Sequence, residues 1–211
     1  MAGGFDDARA FWDRRFAAPE YIFGTAPNRF LASQYERFRP GMRVLDIACG
    51  EGRNAVWLAQ QGCEVLAIDI SPLGLDKARR LAAERGVRVE YELADVRQWN
   101  WQADSFDALV SIFIQFAAPQ ERARVFEGMQ RALRPGGWLM LQGYTPKQLE
   151  YKTGGPPQAE HMYSEPMLRA AFAAMEIVQL REHEDVLAEG NKHVGRSGLI
   201  DLVARRPRPA G

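Results

Sequence analysis

Several sequence features that would indicate a particular class of protein are absent or scarce in this chain. Its 211 residues include only two cysteines, and neither Cys49 nor Cys63 lies in a CxxC or Cys/His pattern. We therefore expect no disulfide framework and no metal site. Lys plus Arg and Asp plus Glu both number 27, so the formal net charge is zero. A basic surface that would bind nucleic acid is not expected with this balance.

Long hydrophobic runs are also missing. No apolar segment reaches the roughly 18 residues that a membrane-spanning helix needs. The first residues, MAGGFDDARAFW, are partly acidic and lack the apolar stretch of a secretory signal. We accordingly expect a cytoplasmic protein, monomeric or homodimeric, without nucleic-acid or membrane partners.

Short apolar runs alternate with helical patterns between Met42 and Leu141. Nearly continuous apolar runs are typical of strands buried on both faces. Ser71 followed by Pro72 predicts the start of a helix, as N-cap and first helical residue. Repeated strand–helix–strand units predict a parallel sheet with helices on both faces. The predicted strands are 42–48, 63–69, 87–94, 106–113 and 138–144, and the predicted helices are 52–62, 72–85, 119–133 and 164–175.

The rest of the chain does not follow this alternation of strands and helices. Residues 145–163 are rich in Gly and Pro, whereas 176–189 and 197–206 alternate apolar and polar residues as two antiparallel strands would. We predict one domain over 1–211. It would comprise an N-terminal helical cap (1–40), a cofactor-binding core (41–144), and a substrate loop, helix and two antiparallel strands (145–211).

The first predicted strand runs into DIACGEGRN, residues 46–54. Gly50 and Gly52 would let the backbone approach a ligand at a helix N-terminus, and open α/β sheets bind ligands beyond the carboxyl ends of their strands. Asp69 ends the second strand, where a carboxylate accepts hydrogen bonds from a ribose diol. Asp95 follows the third strand and would face an adenine edge, with the Val96 backbone beside it.

Gly50-x-Gly52-x-x-Ala55 also matches a dinucleotide-binding fingerprint. In that motif the ribose carboxylate lies about 20 residues further on, whereas Asp69 is closer to Ala55. Asp46 would moreover repel a pyrophosphate, although it suits a cofactor with a cationic amino-acid end. A methyl donor is therefore favoured, and a nicotinamide-dependent oxidoreductase remains the alternative.

Five segments resemble, in order and spacing, the motifs of class I S-adenosylmethionine-dependent methyltransferases: VLDIACGEGRN, AIDIS, LADV, DSFDALVSIF and LRPGGWLML. The resemblance implies an α/β, three-layer, doubly wound Rossmann-like sheet of seven strands, mostly parallel with one antiparallel strand. It also implies S-adenosyl-L-methionine as cofactor and S-adenosyl-L-homocysteine as product.

A narrower resemblance covers nearly the whole chain. YIFGTAPNRFL, YTPKQLEYKTGGPP and EGNKHVGRSGLIDLVARRP are similar to small bacterial methyltransferases of the tellurite-resistance and thiopurine-methyltransferase-like group. By that likeness Tyr21, Phe23, Gly24 and Asn28 would help to close the cofactor site. The full set of expected cofactor contacts is Tyr21, Asn28, Asp46, Ala48, Gly50, Gly52, Asn54, Asp69, Ile70, Asp95, Val96 and Ser111.

Few side chains are available as a base on the acceptor side. The related group often has a histidine in an IFxHLP segment, where this chain has Gln115 in IFIQFAAP. The candidates for acceptor contact are His193, Tyr144 and His161, whereas His183 is expected to be solvated on an outer strand. Tyr151 and Lys152 belong to a segment expected to act as a lid.

We expect methyl transfer to a small acceptor, with soft S, Se or Te nucleophiles favoured. An already ionised soft anion needs no base, whereas an amine or a hydroxyl usually does. An O- or N-methyltransferase of a small metabolite and a non-catalytic cofactor-binding module are the alternatives.

Overall fold

The computed structural model describes residues 5–209, so that residues 1–4 and 210–211 of the predicted domain lie outside the described residues. The chain divides into two compact units. The first unit is 1–99 with 189–192, and the second is 100–188 with 193–211.

Within its described residues, the first unit contains three parallel strands and four α-helices. In chain order they are α1 (Phe5–Phe16), α2 (Arg29–Ser33), β1 (Arg43–Ile47), α3 (Arg53–Gln60), β2 (Glu64–Asp69), α4 (Pro72–Glu84) and β3 (Glu90–Leu93). β2 pairs in parallel with both β1 and β3. Helix α3 contacts β1 and β2, and α4 contacts α1, α3, β2 and β3. The predicted start of α4 is confirmed, because the Ser71 side chain accepts a hydrogen bond from the Gly74 N–H.

The second unit contains the remaining strands and three α-helices in its described part. They are β4 (Phe106–Ile112), α5 (Pro119–Ala132), β5 (Leu133–Tyr144), α6 (Gln148–Tyr151), α7 (Glu165–Ala171), β6 (Glu176–Glu189) and β7 (His193–Arg205). β4 and β5 are parallel, whereas β7 runs antiparallel to β5 with Tyr144 opposite Leu199 and Gln142 opposite Asp201.

The strands form a seven-stranded sheet in the order β3-β2-β1-β4-β5-β7-β6. The predicted fold class, an α/β Rossmann-like sheet that is mostly parallel with one antiparallel strand, is confirmed. No helix among residues 5–209 is long and apolar enough to cross a membrane.

Three predicted strand starts were wrong by three residues or more. β3 begins at Glu90 rather than at residue 87. β5 begins at Leu133 rather than at residue 138, because its Pro-Gly-Gly segment is accommodated by a register shift against β4 between Phe106 and Ala108. Proline and glycine are tolerated at such irregularities, so they did not mark the end of a loop here. β7 begins at His193 rather than at residue 197, so this strand starts directly after the tight turn that follows β6.

Candidate functional site

The turn after β1, residues 48–52 and here called the glycine turn, has an unusual backbone that places two glycines close to other elements. Ala48, Gly50 and Gly52 all have positive φ angles, of 52°, 55° and 86°. A Cβ on Gly52 would lie 2.6 Å from the Cβ of Ala78, and one on Gly50 would lie 3.3 Å from the Phe16 ring. Glycine is therefore required at position 52 by close approach as well as by conformation.

Asp46 is a buried carboxylate with one unpartnered oxygen. It lies in β1 with 1% of its surface exposed. The Ala55 backbone N–H bonds the carboxylate, but within residues 5–209 its Oδ2 has no hydrogen-bond partner. Burial raises the pKa of Asp46 from 3.8 to about 7, although nearby Arg53 lowers it. Because an unpaired buried charge is costly, this site fits the ammonium group of S-adenosylmethionine.

Asp69 ends β2 and is fixed by backbone donors. Its Oδ2 accepts from the Gly50 N–H at 2.8 Å, and its Oδ1 accepts from the Ser71 N–H at 2.8 Å. Burial raises the pKa of this carboxyl to about 6, while the Ser71, Gly50 and Ile70 backbone bonds lower it. Each oxygen keeps a lone pair, so the carboxylate can still accept from a diol.

Asp95 follows β3 and is held by a residue that the sequence analysis missed. The Arg97 Nη2 lies 2.7 Å from Asp95 Oδ2, and the Arg97 Nε and backbone N–H both bond Asp95 Oδ1 at 3.0 Å. Val96, between them, is buried. The two-residue spacing of an acid and an arginine after a strand is a signal that could have indicated this pair. The expected adenine contact of Asp95 remains a prediction.

The segment 21–28, here called the strap, crosses the turn after β1. The Phe23 N–H donates to Glu51 Oε2 at 3.2 Å, and the Phe23 carbonyl accepts from Arg53 Nη1 at 3.3 Å. The Tyr21 hydroxyl donates to the Lys77 carbonyl at 3.1 Å, and its ring packs against the cluster of Val56, Leu81 and Ala82. The structure thus brings the Phe23 backbone to the glycine turn, and the expected cofactor contact of Tyr21 remains a prediction.

A buried ion pair lies beneath the strap. Lys77 Nζ is 2.5 Å from Glu51 Oε1 and also donates to the carbonyls of Ala18 and Glu20. Both charged side chains are at most 3% exposed. Glu51 thus links the strap, through the Phe23 N–H, to Lys77 of α4.

Asn28 and Asn54 are brought together as expected. The Asn28 backbone N–H donates to Asn54 Oδ1 at 2.9 Å, and the Asn28 side chain caps α2 by accepting from the Leu31 N–H. Asn28 also donates to Glu189, whose other oxygen is 2.7 Å from Arg53 Nη2. The sequence analysis missed both Glu189 and Arg53, because 136 residues separate them in the chain.

In the second unit, the end of β4 contains a buried hydroxyl and a strained residue. Ser111 is fully buried, and its Oγ has no hydrogen-bond partner among the residues that the structure describes. Phe113 has φ of 57°, a conformation that non-glycine residues rarely adopt. Such strain is concentrated at functional sites and needs support from its surroundings.

Two of the three acceptor candidates meet at Phe113. Its ring stacks on Tyr144 with centroids 4.7 Å apart and meets His193 edge-on at 4.5 Å. Leu187 and Leu199 complete this apolar cluster. His161 lies outside it, with its Nε2 3.9 Å from Glu160.

His183 is not solvated, so this prediction was wrong. Its Nε2 lies 2.8 Å from Asp201 Oδ2, and its side chain is 16% exposed. Asp201 Oδ1 also accepts from Gln142 Nε2 at 2.6 Å. The alternation with Glu182 and Glu184 correctly placed His183 on an outer strand, but the buried acid on β7 could not be inferred from that pattern.

The segment predicted as a lid is fastened to β7. The Thr153 hydroxyl donates to the Arg196 carbonyl at 2.6 Å, and Gln148 Oε1 accepts from the Gly198 N–H at 3.0 Å. The Arg196 guanidinium lies 5.2 Å from the centre of the Tyr151 ring. Lys152 is exposed with φ of 56°.

The Gln115 side chain is hydrogen-bonded to the backbone at the end of β5. Its Oε1 accepts from the Tyr144 N–H at 2.5 Å, and its Nε2 donates to the Tyr144 carbonyl at 2.8 Å. Gln115 is 5% exposed and Tyr144 2%. This two-point pairing makes Gln115 a support for Tyr144.

Residues 44–137 match the family model described as a methyltransferase domain. They form a methyltransferase domain. The match extends from β1 to the glycines of β5 and includes the turn with Gly50 and Gly52. S-adenosylmethionine, predicted from the sequence as the cofactor, is confirmed by this match.

Named relatives agree with the methyltransferase domain. The chain is 36% identical over 121 residues to methyltransferase GfsG of Streptomyces halstedii, covering 55% of this chain and 43% of that protein. It is 33% identical over 144 residues to a ubiquinone biosynthesis O-methyltransferase of Xanthomonas axonopodis pv. citri, covering 64% and 60%. The chain thus spans about half the length of these two curated relatives.

Similarity to a solved structure extends beyond the methyltransferase domain. A structure reported for the conversion of a disulfide bond into a thioacetal group during echinomycin biosynthesis has a TM-score of 0.78 and 19% identity. The alignment covers 98% of this chain and 93% of the other. At this identity the similarity shows a shared fold.

Replacing Gln115 by alanine is expected to destabilise the protein by about 2–4 kcal/mol, because it removes one partner each from the buried N–H and carbonyl of Tyr144 and creates a cavity. The carbonyl keeps the hydrogen bond from the Tyr163 N–H at 2.9 Å. Urea unfolding measures this loss. Gln130→Ala is the control, because Gln130 is half-buried on α5 and donates only to carbonyls. Equal losses for the two variants would contradict a specific support of Tyr144.

Proposed function

We propose that the protein transfers a methyl group from S-adenosylmethionine to a small molecule whose reacting atom is a soft nucleophile: sulfur, selenium or tellurium. The observation that carries this proposal is the pairing of Gln115 with the Tyr144 backbone. A carboxamide does not titrate as a base, and both of its polar atoms are occupied. An acceptor that arrives as an anion needs no proton removed.

When bound, S-adenosylmethionine supplies an electrophilic methyl carbon on a sulfonium. Attack by the acceptor lone pair would form the new bond as the carbon–sulfur bond breaks, with S-adenosylhomocysteine released as a neutral thioether. Asp46 would offset the ammonium charge, Asp69 would accept from the ribose hydroxyls and Asp95 would face the adenine. The protein then contributes mainly orientation and exclusion of water.

Membership of the tellurite-resistance and thiopurine-methyltransferase-like group is part of this proposal. The three segments quoted from the sequence support it, as does the fold shared with a protein that acts on a disulfide bond. The O-methyltransferase relatives instead favour an oxygen acceptor. For that second candidate, His193 beside Tyr144 and Phe113 would be the base.

The test is release of S-adenosylhomocysteine from pH 6 to 9 with small thiols of different pKa, selenite and tellurite species, catechols and amines. We expect turnover with thiols, and a rate that follows the ionisation of each thiol. His193→Gln should retain this pH profile. Turnover confined to catechols or amines, and lost in His193→Gln, would overturn the soft-acceptor proposal. Cofactor binding without turnover of any acceptor would instead favour a binding module.

A further inference from the structure

The turn between β6 and β7, residues 189–192, interlocks with the strap. The N–H groups of Asn191 and Lys192 both donate to the Ile22 carbonyl, at 2.9 and 3.2 Å. Gly190 has φ of 63°, and a Cβ there would lie 2.3 Å from the same carbonyl oxygen and 2.5 Å from the Gly24 nitrogen. No side chain fits at position 190, so this contact depends on glycine.

Glu189 adds a buried charge to this contact. Its Oε2 lies 2.7 Å from Arg53 Nη2, and its Oε1 accepts from Asn28 Nδ2 at 3.0 Å. The side chains of Glu189 and Arg53 are 5% and 8% exposed. Each carboxylate oxygen thus binds a different segment, one oxygen the start of α3 and the other the end of the strap.

The two segments that Glu189 joins both contain expected cofactor contacts. Arg53 and Asn54 are the first residues of α3 and follow directly on the glycine turn. Arg53 also donates to the Phe23 carbonyl, and Asn54 accepts from the Asn28 N–H. Loss of the carboxylate would therefore remove a partner from the two side chains, Arg53 and Asn28, that stand at these strap–α3 bonds, while leaving the Lys77–Glu51 pair intact.

We propose that Glu189 is a positioning residue of the cofactor site, and that it acts through Arg53 and Asn28 to hold the strap against the first turn of α3. This inference rests on the proposed binding of S-adenosylmethionine. A buried ion pair can often be replaced by apolar residues of similar volume without loss of stability. If Glu189 had a purely structural role, a stable variant without the ion pair would therefore bind the cofactor as well as the wild type does.

The experiment compares the wild type with Arg53→Met/Glu189→Met, in which both charges are removed together. We expect the double variant to melt within about 5 °C of the wild type, to bind S-adenosylhomocysteine at least 10-fold more weakly by calorimetry, and to show a raised KM for S-adenosylmethionine with kcat changed less than 3-fold. Glu182→Gln, an exposed acid on β6, is the control and should bind normally.

Glu189→Gln is the second variant, in case the double variant does not fold. Glutamine retains one acceptor and nearly the same volume, so we expect a 3- to 10-fold weaker binding that lies between the wild type and the double variant. Wild-type affinity in a folded double variant, or in Glu189→Gln, would overturn the positioning role. A wild type that does not bind S-adenosylhomocysteine at all would instead overturn the proposed function itself.

Discussion

Replacing Asp46 by asparagine is expected to abolish the thermal stabilisation that S-adenosylhomocysteine gives to the wild type. A ligand at about 100 times its Kd stabilises the native state by about 2.7 kcal/mol, which raises the Tm of a protein of this size by roughly 5–11 °C. Asp46 has a buried, unpartnered oxygen that fits the ligand ammonium. Asparagine is neutral, so the variant should bind far more weakly and show a shift below about 2 °C.

The same substitution should change how stability depends on pH. The folded-state pKa of Asp46 is raised from 3.8 to about 7, so the folded protein binds more protons than the unfolded chain between these values. Stability must then fall as pH rises through this window. The raised pKa of Asp69, about 6, gives a slope of the same sign. We expect urea unfolding from pH 4.5 to 7.5 to show a weaker decline for Asp46→Asn than for the wild type.

Asp76→Asn is the matched control, because Asp76 is exposed on α4 and pairs with the exposed Arg79. This variant should keep the full response to S-adenosylhomocysteine. NADH should shift neither protein, and a shift with NADH would revive the dinucleotide alternative. A normal S-adenosylhomocysteine response in Asp46→Asn would show that the orphan carboxylate does not contact the ligand.

The sequence predicts those parts of the fold that depend on local patterns. Buried strands such as β1 and β2 are apolar along their length, and Ser71-Pro72 specifies the start of α4 through its own side chain and ring. The beginning of β5 could not be inferred in this way. Its Pro-Gly-Gly segment is a loop signal, and only pairing with a neighbouring strand turns it into an irregular piece of sheet.

The residues of the candidate site likewise differ in whether local sequence patterns or distant partners explain their positions. The positions of Asp46, Gly52 and Asp69 were predictable because the strand ends and the tight turn follow from local patterns, while their contacts with the cofactor remain predictions. The positions of Glu189 and Asp201 were not predictable, since each is explained by a partner distant in the chain. Tyr21 remains a predicted cofactor contact, and its hydrogen bond to the Lys77 carbonyl of α4 is likewise a long-range contact that the sequence pattern does not indicate.

Gly52→Ala is expected to cause the largest loss of stability. Its φ of 86° costs a side chain roughly 1–2 kcal/mol, and a Cβ would lie 2.6 Å from Ala78 Cβ and 2.9 Å from its Cα. Relief of such overpacking typically costs a further 1–3 kcal/mol. A total of about 2–5 kcal/mol corresponds to a Tm lower by roughly 4–20 °C. Differential scanning calorimetry measures this change.

Gly41→Ala separates the two contributions, because Gly41 has φ of 82° but no atom of the described residues lies within 4 Å of an added Cβ. It should cost only the conformational part, about 1–2 kcal/mol. Gly52→Ala combined with Ala78→Gly should recover only some of the packing loss, because the contact with the Cα of residue 78 at 2.9 Å remains and glycine costs roughly 1 kcal/mol within a helix. Equal losses for Gly41→Ala and Gly52→Ala would mean that α3 can move away from α4. The glycine turn would then be set by backbone conformation alone, and a larger residue at position 78 would leave the cofactor site unchanged.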